Sequence, residues 1–312
     1  MAIYTKVSQA LVEDIIAPYA LGNLLEIEPI AGGQANSSVW LKTADGTYIL
    51  SICDEKSSEE IDRLTTILEY LEQFDYPTSR VIKTGSGLSV LEHEGNPVYL
   101  KRYIEGSVPD RLNPRQVFQL GEQLALLHRI PSHKSLLDTH SYGIETFAEV
   151  FASDSPDQFG PWLKQKAAFL ERHLEPDLPR GFIHGDLFYD NTVFQGDDLA
   201  AVLDFEEACF YVFVFDLGMS MIGACALDGR LSMELVRSLI KGYQSIRQLS
   251  QAEKAQLKLY AEYAAIGTAF WRFRQYHVRN PIAEKAETHL EMKNLAEQLS
   301  SMSIEQFQKL MF

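Results

Sequence analysis

The sequence GFIHGDLFYDN, residues 181–191, decides how the rest of the chain is interpreted. It carries Asp186 and, five positions later, Asn191, directly after a short apolar run. Downstream, LAAVLDFEEA (199–208) places Asp204 at the end of a second apolar, strand-like run. Phosphoryl transfer needs a carboxylate that accepts the proton of the attacking hydroxyl, and amide and carboxylate oxygens that hold Mg²⁺. The pattern therefore predicts a phosphoryl-transfer site; a solvated loop with Asx turns is the alternative.

The charge and cysteine content of the chain indicate which classes of binding partner and covalent cross-link to expect. Of the 312 residues, 28 are Lys or Arg and 43 are Asp or Glu, which gives a formal net charge of −15 at pH 7. This charge argues against a nucleic-acid or anionic-membrane partner, because either would select a basic face. The three cysteines form no Cys-x-x-Cys pair, so reduced thiols are expected rather than disulfides or a zinc site.

No stretch of the sequence predicts a signal peptide or a membrane span. Glu13 and Asp14 stand where a signal peptide needs an apolar core, and Asp216 interrupts the apolar region 208–227. We therefore expect a cytoplasmic protein with a small-molecule partner and no membrane partner. The sequence leaves the oligomeric state open.

Strand-like runs dominate the first hundred residues, and helical periodicity dominates the remainder. Strands are predicted over 24–31, 37–43, 47–53, 87–93 and 97–104. Helices are predicted over 57–74, 114–130, 159–174, 233–246, 251–278 and 283–299. Asp45-Gly46, between the second and third strands, is typical of a hairpin turn. The expected fold class is α+β, with a small β-rich part before a larger helical part and a boundary near Gly106.

The block 181–218 resembles the aminoglycoside phosphotransferase and choline kinase superfamily, whose members are relatives of protein kinases. It matches the family's His-Gly-Asp-x-x-x-x-Asn loop and its Asp-Phe element. Within the superfamily the chain is similar to the kinase-like homoserine kinases over nearly its whole length, since HGDLFYDN and DFEEAC, followed by FDLG, match their pattern. The resemblance implies a two-lobed protein-kinase-like fold. Residues 1–104 would form the nucleotide-binding lobe, and residues 105–312 the helical catalytic and substrate lobe.

The resemblance also implies a role for each polar residue of the block. Asp186 would be the catalytic base, and Asn191 and Asp204 would be the ligands of Mg²⁺. His184 is similar to the structural histidine of the family's loop, and Asp216 to an aspartate that holds this loop from a following helix. ATP and Mg²⁺ are the expected cofactors, and a small-molecule hydroxyl is the expected phosphoryl acceptor.

Nucleotide contacts are expected in the N-terminal lobe. Gly32 and Gly33 lie between two predicted strands, where backbone N–H groups can approach phosphate oxygens; a hairpin turn is the commoner meaning of such a pair. By the resemblance, the backbone of the hinge segment 98–106 receives adenine. The predicted nucleotide contacts are Gly32, Gly33, Asn36, Ser37, Lys56, Leu100 and Tyr103.

One pair of positions departs from the kinase pattern. Kinases of this fold usually carry a Lys on the third strand, paired with a Glu on the next helix, and Ser51 and Leu64 occupy those places here. The kinase-like homoserine kinases also lack an obvious Lys there. Lys56 and Lys42 are the candidates to neutralise the phosphates, with a solvated surface lysine as the alternative for each. We hypothesise that Lys56 contributes.

Two acidic residues, Glu206 and Glu207, follow the Asp-Phe element and would attract an ammonium group by charge-assisted contact. They favour an amine-bearing alcohol as substrate. Homoserine is such an alcohol, and its carboxylate needs a cation. On an α-helix Arg272 and Arg279 share a face while Arg274 points elsewhere. Arg272 is the predicted substrate contact; arginines that snorkel from an amphipathic helix are the alternative.

The predicted function is ATP- and Mg²⁺-dependent phosphoryl transfer to the hydroxyl of an amine-bearing alcohol, with homoserine as the first choice. Kinases of choline, aminoglycosides or other amino alcohols are alternatives of the same class. A nucleotide-binding protein without catalysis, a pseudokinase, is the alternative of a different class, and the absence of the third-strand Lys motivates it.

Overall fold

The computed structural model of the chain describes residues 8–30, 37–153 and 158–311. The chain divides into two compact units. The first unit runs to Gly106 and also takes in Ala200–Leu203, and the second contains the remaining residues. Among the residues described, no helix combines the length and the apolar character that a membrane crossing requires.

The first unit is built on an antiparallel sheet. Its strands are β1 Leu24–Pro29, β2 Ser37–Thr43, β3 Gly46–Ile52, β4 Val81–Ile82, β5 Val90–His93 and β6 Asn96–Arg102. They lie in the order β1-β2-β3-β6-β4, and β5 also pairs with β6. The helices of this unit are α1 Gln9–Ile16 and α2 Ser58–Glu72. Alternate residues of the central strands, such as Val39, Leu41 and Leu50, pack with Val12 and Ile15 of α1 in an apolar core.

The predicted hairpin between β2 and β3 is present, but its turn lies one residue earlier than expected. Thr43 pairs with Gly46 in the antiparallel register, so Ala44 and Asp45 form the two-residue turn. The Thr43 hydroxyl accepts a hydrogen bond from the Asp45 amide at 3.2 Å. Because this local bond closes the turn early, Gly46 begins β3 instead of completing the turn.

The second unit is mainly helical. Its helices are α3 Pro114–Leu127, α4 Phe159–His173, α5 Phe213–Ala224, α6 Met233–Ile246, α7 Gln251–Phe273, α8 Thr288–Ser301 and α9 Ile304–Met311. The short strands beyond Gly106 are β7 Arg180–Ile183, β8 Thr192–Gln195, β9 Asp198–Val202, β10 Cys209–Val212, β11 Ala226–Leu227 and β12 Arg230–Leu231. β7 pairs with β10 and β11 with β12, and β8 and β9 form a hairpin.

Hydrophobic periodicity does not predict α5, although the family resemblance implies a helix at Asp216. All of its residues are buried, so the helix has no polar face and none of the periodicity on which such a prediction depends. Its buried residues include Asp216, the single charged residue of the helix. A buried charge needs hydrogen-bond partners, and the loop 184–191 supplies two of them.

The long helix predicted over 251–278 changes its winding near the end. α7 ends at Phe273, and Arg274–Arg279 continue as a π-helical segment. Its turns hold more residues than those of an α-helix, so side chains meet at a different spacing. This change decides where the arginines of the segment point.

Candidate active site

The loop 184–191 connects β7 to β8 within the second unit. Gly185 in this loop has a φ of +84°, and a Cβ atom there would lie 2.5 Å from the backbone oxygen of Glu207. Glycine is the residue that tolerates both conditions. The Asp186 amide donates a hydrogen bond to Nδ1 of His184 at 3.2 Å. The buried His184 ring packs on Phe205 with 4.6 Å between centroids, so the Asp-Phe element supports the loop.

Asp216, in the first turn of α5, holds the loop backbone. Its carboxylate accepts hydrogen bonds from the amides of His184 at 2.7 Å and of Gly185 at 2.9 Å, and Nε2 of His128 lies at 3.0 Å. Burial alone would raise the pKa of Asp216, but the hydrogen bond from His128, together with the contacts of His184, lowers the pKa overall. Asp216 is therefore an ionised acceptor that orients the loop.

His128 connects this aspartate to α6. Its Nδ1 lies 2.7 Å from the Tyr243 hydroxyl, which accepts a hydrogen bond from Arg247 at 3.0 Å. Burial lowers the pKa of His128. A neutral ring that donates from Nε2 to Asp216 and accepts at Nδ1 from Tyr243 satisfies every partner. The sequence gives no sign of this role, because His128 and Asp216 are 88 positions apart.

Asp186 is half-buried, and its carboxylate accepts a hydrogen bond from the Tyr142 hydroxyl. Burial raises the pKa of Asp186 well above its usual range, the charge of Asp204 raises it further, and the Tyr142 bond opposes the rise. Burial also raises the pKa of Tyr142, so the phenol stays protonated and donates. A carboxylate with a raised pKa accepts a proton more readily than an ordinary Asp, as a general base must.

Tyr142 is absent from the residues predicted from sequence. It stands in the stretch HSYG (140–143), which contains no motif and precedes Asp186 by more than forty positions. No local spacing connects the two residues, so only the fold reveals their contact.

Asn191 and Asp204 supply the oxygen atoms expected of a metal site. Nδ2 of Asn191 donates to the backbone oxygen of Asp186 at 2.8 Å, which leaves its Oδ1 for another partner. Asp204 is exposed and has a φ of +61°, a conformation that is uncommon for Asp and frequent at functional positions. Amide and carboxylate oxygens suit a hard divalent cation. The residues therefore fit Mg²⁺.

A site of this kind would take further ligands from a nucleotide. No group of three or more His, Cys, Asp or Glu in the described part of the chain is arranged to hold a metal ion. Mg²⁺ is commonly bound by one or two carboxylates together with substrate phosphates, so a sparse set of protein ligands is compatible with it.

Glu206 and Glu207 are both half-buried. Glu207 accepts hydrogen bonds from the hydroxyl and the amide of Ser141, a residue that the sequence did not single out. The charge of Glu207 raises the pKa of Asp186, after the larger effects of burial and of Asp204. Glu207 therefore belongs to the same group of acidic side chains as Asp186 and Asp204.

The three arginines expected near a substrate carboxylate divide into two groups. Arg272 donates to Glu291 at 2.8 Å. Arg274 and Arg279 both contact Glu149, at 3.4 Å and 3.3 Å. The prediction that Arg272 and Arg279 share a face while Arg274 points elsewhere is therefore wrong. The π-helical winding brings Arg274 and Arg279, five positions apart, to the same carboxylate.

The residues predicted to bind nucleotide phosphates belong to the first unit. Gly32, Gly33 and Asn36 lie outside the described residues. The Ser37 hydroxyl donates to Asp54 at 2.7 Å. The phosphate-binding roles of these residues stay predictions.

The residues predicted near adenine and the phosphate charge are also in the first unit. Leu100 is fully buried in β6, and the Tyr103 amide donates to the Thr47 backbone oxygen at 3.0 Å. Lys56 is half-buried immediately before α2. Ser51, at the position where kinases usually carry Lys, is buried in β3. The roles of Leu100, Tyr103 and Lys56 stay predictions.

Comparison with known proteins identifies relatives of the chain. The model of the phosphotransferase enzyme family matches residues 26–259. The homoserine kinase of Methylobacterium radiotolerans is 30% identical over 274 residues, which cover 85% of each chain. The homoserine kinase of Parvibaculum lavamentivorans is 31% identical over 274 residues, again 85% of each chain.

Solved structures share the fold at low identity. The amicoumacin kinase hAmiN, in complex with AMP-PNP, Ca²⁺ and Ami, has a TM-score of 0.73 and 14% identity and covers 96% of this chain and 97% of its own. The microcompartment-associated aminopropanol kinase has a TM-score of 0.72 and 19% identity, with 94% and 98% covered. The predicted protein-kinase-like α+β fold is confirmed.

Proposed function

The chain belongs to the phosphotransferase enzyme family, and from that membership we propose that it is a homoserine kinase, which transfers the γ-phosphoryl group of ATP to the side-chain hydroxyl of homoserine. The observation that carries the proposal is the grouping of Asp186, Asn191 and Asp204 with the Tyr142 hydroxyl. The two relatives described above, both homoserine kinases matched over 85% of their length, support the choice of substrate.

Asp186 is proposed as the group that takes the proton. The homoserine oxygen attacks the γ-phosphorus, a new O–P bond forms, and the bond from phosphorus to the β–γ bridging oxygen breaks with its electron pair leaving on ADP. The hydroxyl proton passes to the Asp186 carboxylate, which returns it to water after release of the product. Because Tyr142 occupies part of that carboxylate, it directs the remaining lone pairs toward the substrate.

Asn191 and Asp204 are proposed to hold the divalent cation, and Mg²⁺ is the ion we propose. When bound, Mg²⁺ neutralises charge on the phosphate oxygens of the nucleotide. The protein's own contribution is orientation. Asn191 is fixed by its hydrogen bond to the backbone of Asp186, so the metal-binding amide and the catalytic carboxylate move together.

ATP is the proposed phosphoryl donor, with Gly32, Gly33, Asn36 and Ser37 near its phosphates and the 98–106 backbone, including Leu100 and Tyr103, near its adenine. Lys56 is proposed to offset phosphate charge in place of the third-strand Lys. We expect Lys56→Ala to raise the KM for ATP by about tenfold, because one charge-assisted contact contributes about 1.5 kcal/mol. An unchanged KM for ATP would remove Lys56 from the proposal.

A kinase of an amino alcohol without a carboxylate is the second candidate, because Glu207 places an acidic group beside Asp186 that suits any ammonium. Rates of ADP release with Mg²⁺-ATP separate the two candidates. The panel contains homoserine, serine, choline, ethanolamine and an aminoglycoside. We expect kcat/KM for homoserine to exceed the others by about 10²-fold or more. Turnover with choline or an aminoglycoside, and none with homoserine, would favour the second candidate.

A catalytically inactive nucleotide-binding protein is no longer favoured. Its motivation was Ser51 in place of Lys, but the curated relatives and the family are enzymes, and Asp186, Asn191 and Asp204 are all present. A cytoplasmic location is proposed for the enzyme, since its three cysteines are buried free thiols, as expected in a reducing compartment.

A further inference from the structure

Arg274 and Arg279 form a cationic pair that directly contacts a single carboxylate. Both guanidinium groups contact the same carboxylate, that of Glu149, at 3.4 Å and 3.3 Å. Charge-assisted hydrogen bonds between a guanidinium and a carboxylate are normally about 2.7–2.9 Å long. The two contacts are therefore loose, and two guanidinium groups divide one carboxylate between them. A second carboxylate would complete the group.

Arg274 is the buried member of the pair. Only 6% of the residue is exposed, and its Nε atom has no hydrogen-bond partner among the described residues. Its guanidinium lies over the Phe270 ring, 4.8 Å from the centroid. Burial lowers the pKa of Arg274, and the neighbouring Arg279 lowers it further. A buried cation with an unsatisfied N–H is costly unless a ligand completes its partners.

Arg274 follows two residues, Gly267 and Trp271, that lie close to Tyr142. Gly267, Trp271 and Arg274 are spaced at i, i+4 and i+7, so they follow one side of α7 and its extension. A Cβ atom at Gly267 would lie 2.8 Å from the backbone oxygen of Tyr142, and the Trp271 and Tyr142 rings are 6.5 Å apart. Tyr142 is the residue that donates to Asp186.

Glu207 gives a second link between Arg274 and the loop. Its charge acts on the Arg274 guanidinium and also on Asp186 and Tyr142. One oxygen of Glu207 accepts hydrogen bonds from Ser141, and no residue in the described part of the chain donates to the other. Glu207, an acceptor for an ammonium group, therefore lies near enough to act electrostatically on both Asp186 and Arg274, a donor for a carboxylate.

We infer that Arg274 receives the carboxylate of an α-amino acid substrate, while Glu207 receives its ammonium group and Asp186 its hydroxyl. This inference rests on the proposed function and specifies how the substrate is recognised. Arg279, whose side chain is 56% exposed, contacts the other carboxylate oxygen of Glu149. Glu149 partly balances the two arginines in the absence of substrate, and its loose contacts let a better-placed carboxylate take over.

Arg272 does not have the same capacity. It donates to the Thr288 backbone oxygen at 3.0 Å and to Glu291 at 2.8 Å, so α8 already occupies its guanidinium. A substrate carboxylate would have to displace a short ion pair there. At Arg274 it would instead add a partner to a group that has an unsatisfied N–H.

The test compares homoserine with 3-aminopropan-1-ol, which is homoserine without its carboxylate. For Arg274→Gln we expect kcat/KM for homoserine to fall about 10²-fold, the loss of hydrogen bonds to a charged group. The value for 3-aminopropan-1-ol should change less than about threefold. Where turnover of 3-aminopropan-1-ol is too slow to measure, its Ki against homoserine serves instead. If Arg274 had a merely structural role, the variant would have an equally reduced kcat/KM for both substrates, and that result would overturn the inference.

Matched variants complete the comparison. Arg115→Gln removes an exposed arginine that pairs with Asp198. It should leave kcat/KM unchanged for both substrates. The inference is wrong if Arg272→Gln selectively lowers kcat/KM for homoserine and Arg274→Gln does not. Glu149→Gln removes the competing carboxylate from a 43% exposed position. It should lower the KM for homoserine severalfold, and a raised KM would contradict the inference.

The two proposals fail in different ways. A wild-type enzyme that does not phosphorylate homoserine would refute the proposed function and, with it, this inference. A wild-type enzyme that does so, with an Arg274→Gln variant of equal selectivity for homoserine over 3-aminopropan-1-ol, would refute the inference alone.

Discussion

At the residue scale, the chemistry of the site depends on a hydrogen bond that lies outside the loop motif. Tyr142 donates to Asp186 and thereby orients the proposed base. Tyr142→Phe removes this donor and keeps the ring. We expect kcat to fall about tenfold, because a hydrogen bond to a charged group contributes about 1.5 kcal/mol. The KM for ATP should stay within about twofold, and steady-state kinetics with homoserine measures both.

Tyr260→Phe is the matched control for this change. The Tyr260 hydroxyl donates to the Glu175 backbone oxygen at 3.0 Å, away from the loop. Both variants lose one hydroxyl and one hydrogen bond, but only Tyr142→Phe should lose turnover. Equal kcat values for the two variants would show that the Tyr142 contact does not position the base.

A second prediction at this scale concerns pH. His140 is buried, both of its ring nitrogens lack hydrogen-bond partners among the described residues, and the Tyr211 and Phe215 rings lie within 4.7 Å of its own, centroid to centroid. Burial lowers the pKa of His140 to about 4, and the charge of Asp216 opposes this only in part. Between its ordinary pKa of 6.5 and this value, the unfolded chain binds a proton that the folded chain does not.

The free energy of unfolding should therefore decrease as the pH falls through this window. From pH 7 to pH 5 the contribution of this one group is about 2 kcal/mol. The phenylalanine of His140→Phe suits the aromatic surroundings and cannot titrate. From pH 7 to pH 5 the free energy of unfolding of this variant should therefore fall by about 2 kcal/mol less than that of the wild type. Urea unfolding at the two pH values measures this. Parallel pH dependence in the two proteins would mean that His140 is protonated in the fold.

At the element scale, we expect the position of the loop 184–191 to depend on how closely α3 and α6 pack. A Cβ atom at Gly242 of α6 would lie 1.9 Å from the Phe118 backbone oxygen, and one at Gly121 of α3 would lie 2.2 Å from the Leu239 backbone oxygen. The two glycines thus allow the helix backbones to touch. His128, which follows α3 directly, contacts both Tyr243 of α6 and Asp216, so a shift between α3 and α6 would disturb its position.

Gly242→Ala should therefore separate the helices. We expect a loss of about 3 kcal/mol in the free energy of unfolding, since a clash with backbone cannot be relieved by a side-chain rotation. Turnover at a temperature where the variant is folded should also fall, because His128 moves away from Asp216. Gly85→Ala is the control: its Cβ would lie 3.7 Å from the nearest atom, an ordinary contact. If both variants unfold at the same urea concentration, the helices can adjust.

At the scale of the whole molecule, the sequence predicts the parts of the site that are close together in the chain. Asp186, Asn191 and Asp204 fall within twenty residues, so their spacing carries the chemistry of phosphoryl transfer. The amphipathic helices and the alternating strands are likewise local patterns. The family membership and the protein-kinase-like fold predicted from these residues are both confirmed.

The parts of the fold and the site that could not be predicted from sequence patterns involve residues far apart in the chain, or helices that periodicity does not identify. Tyr142 and His128 act on residues far along the chain, and no motif contains both partners. Helix α5 is buried on every side, so no polar face identifies it. The grouping of Arg274 with Arg279 depends on a π-helical segment, which hydrophobic periodicity does not distinguish from an α-helix.

The most direct test is phosphorus NMR of the wild type and Asp186→Asn, each incubated with Mg²⁺-ATP and homoserine. We predict that the wild type forms one phosphomonoester of the homoserine hydroxyl for each ADP released. Asp186→Asn should bind ATP with similar affinity and turn over about 10²–10⁴-fold more slowly, because it cannot accept the proton. Undiminished turnover in Asp186→Asn, or ADP release with only inorganic phosphate as the second product, would contradict phosphoryl transfer to homoserine by this loop.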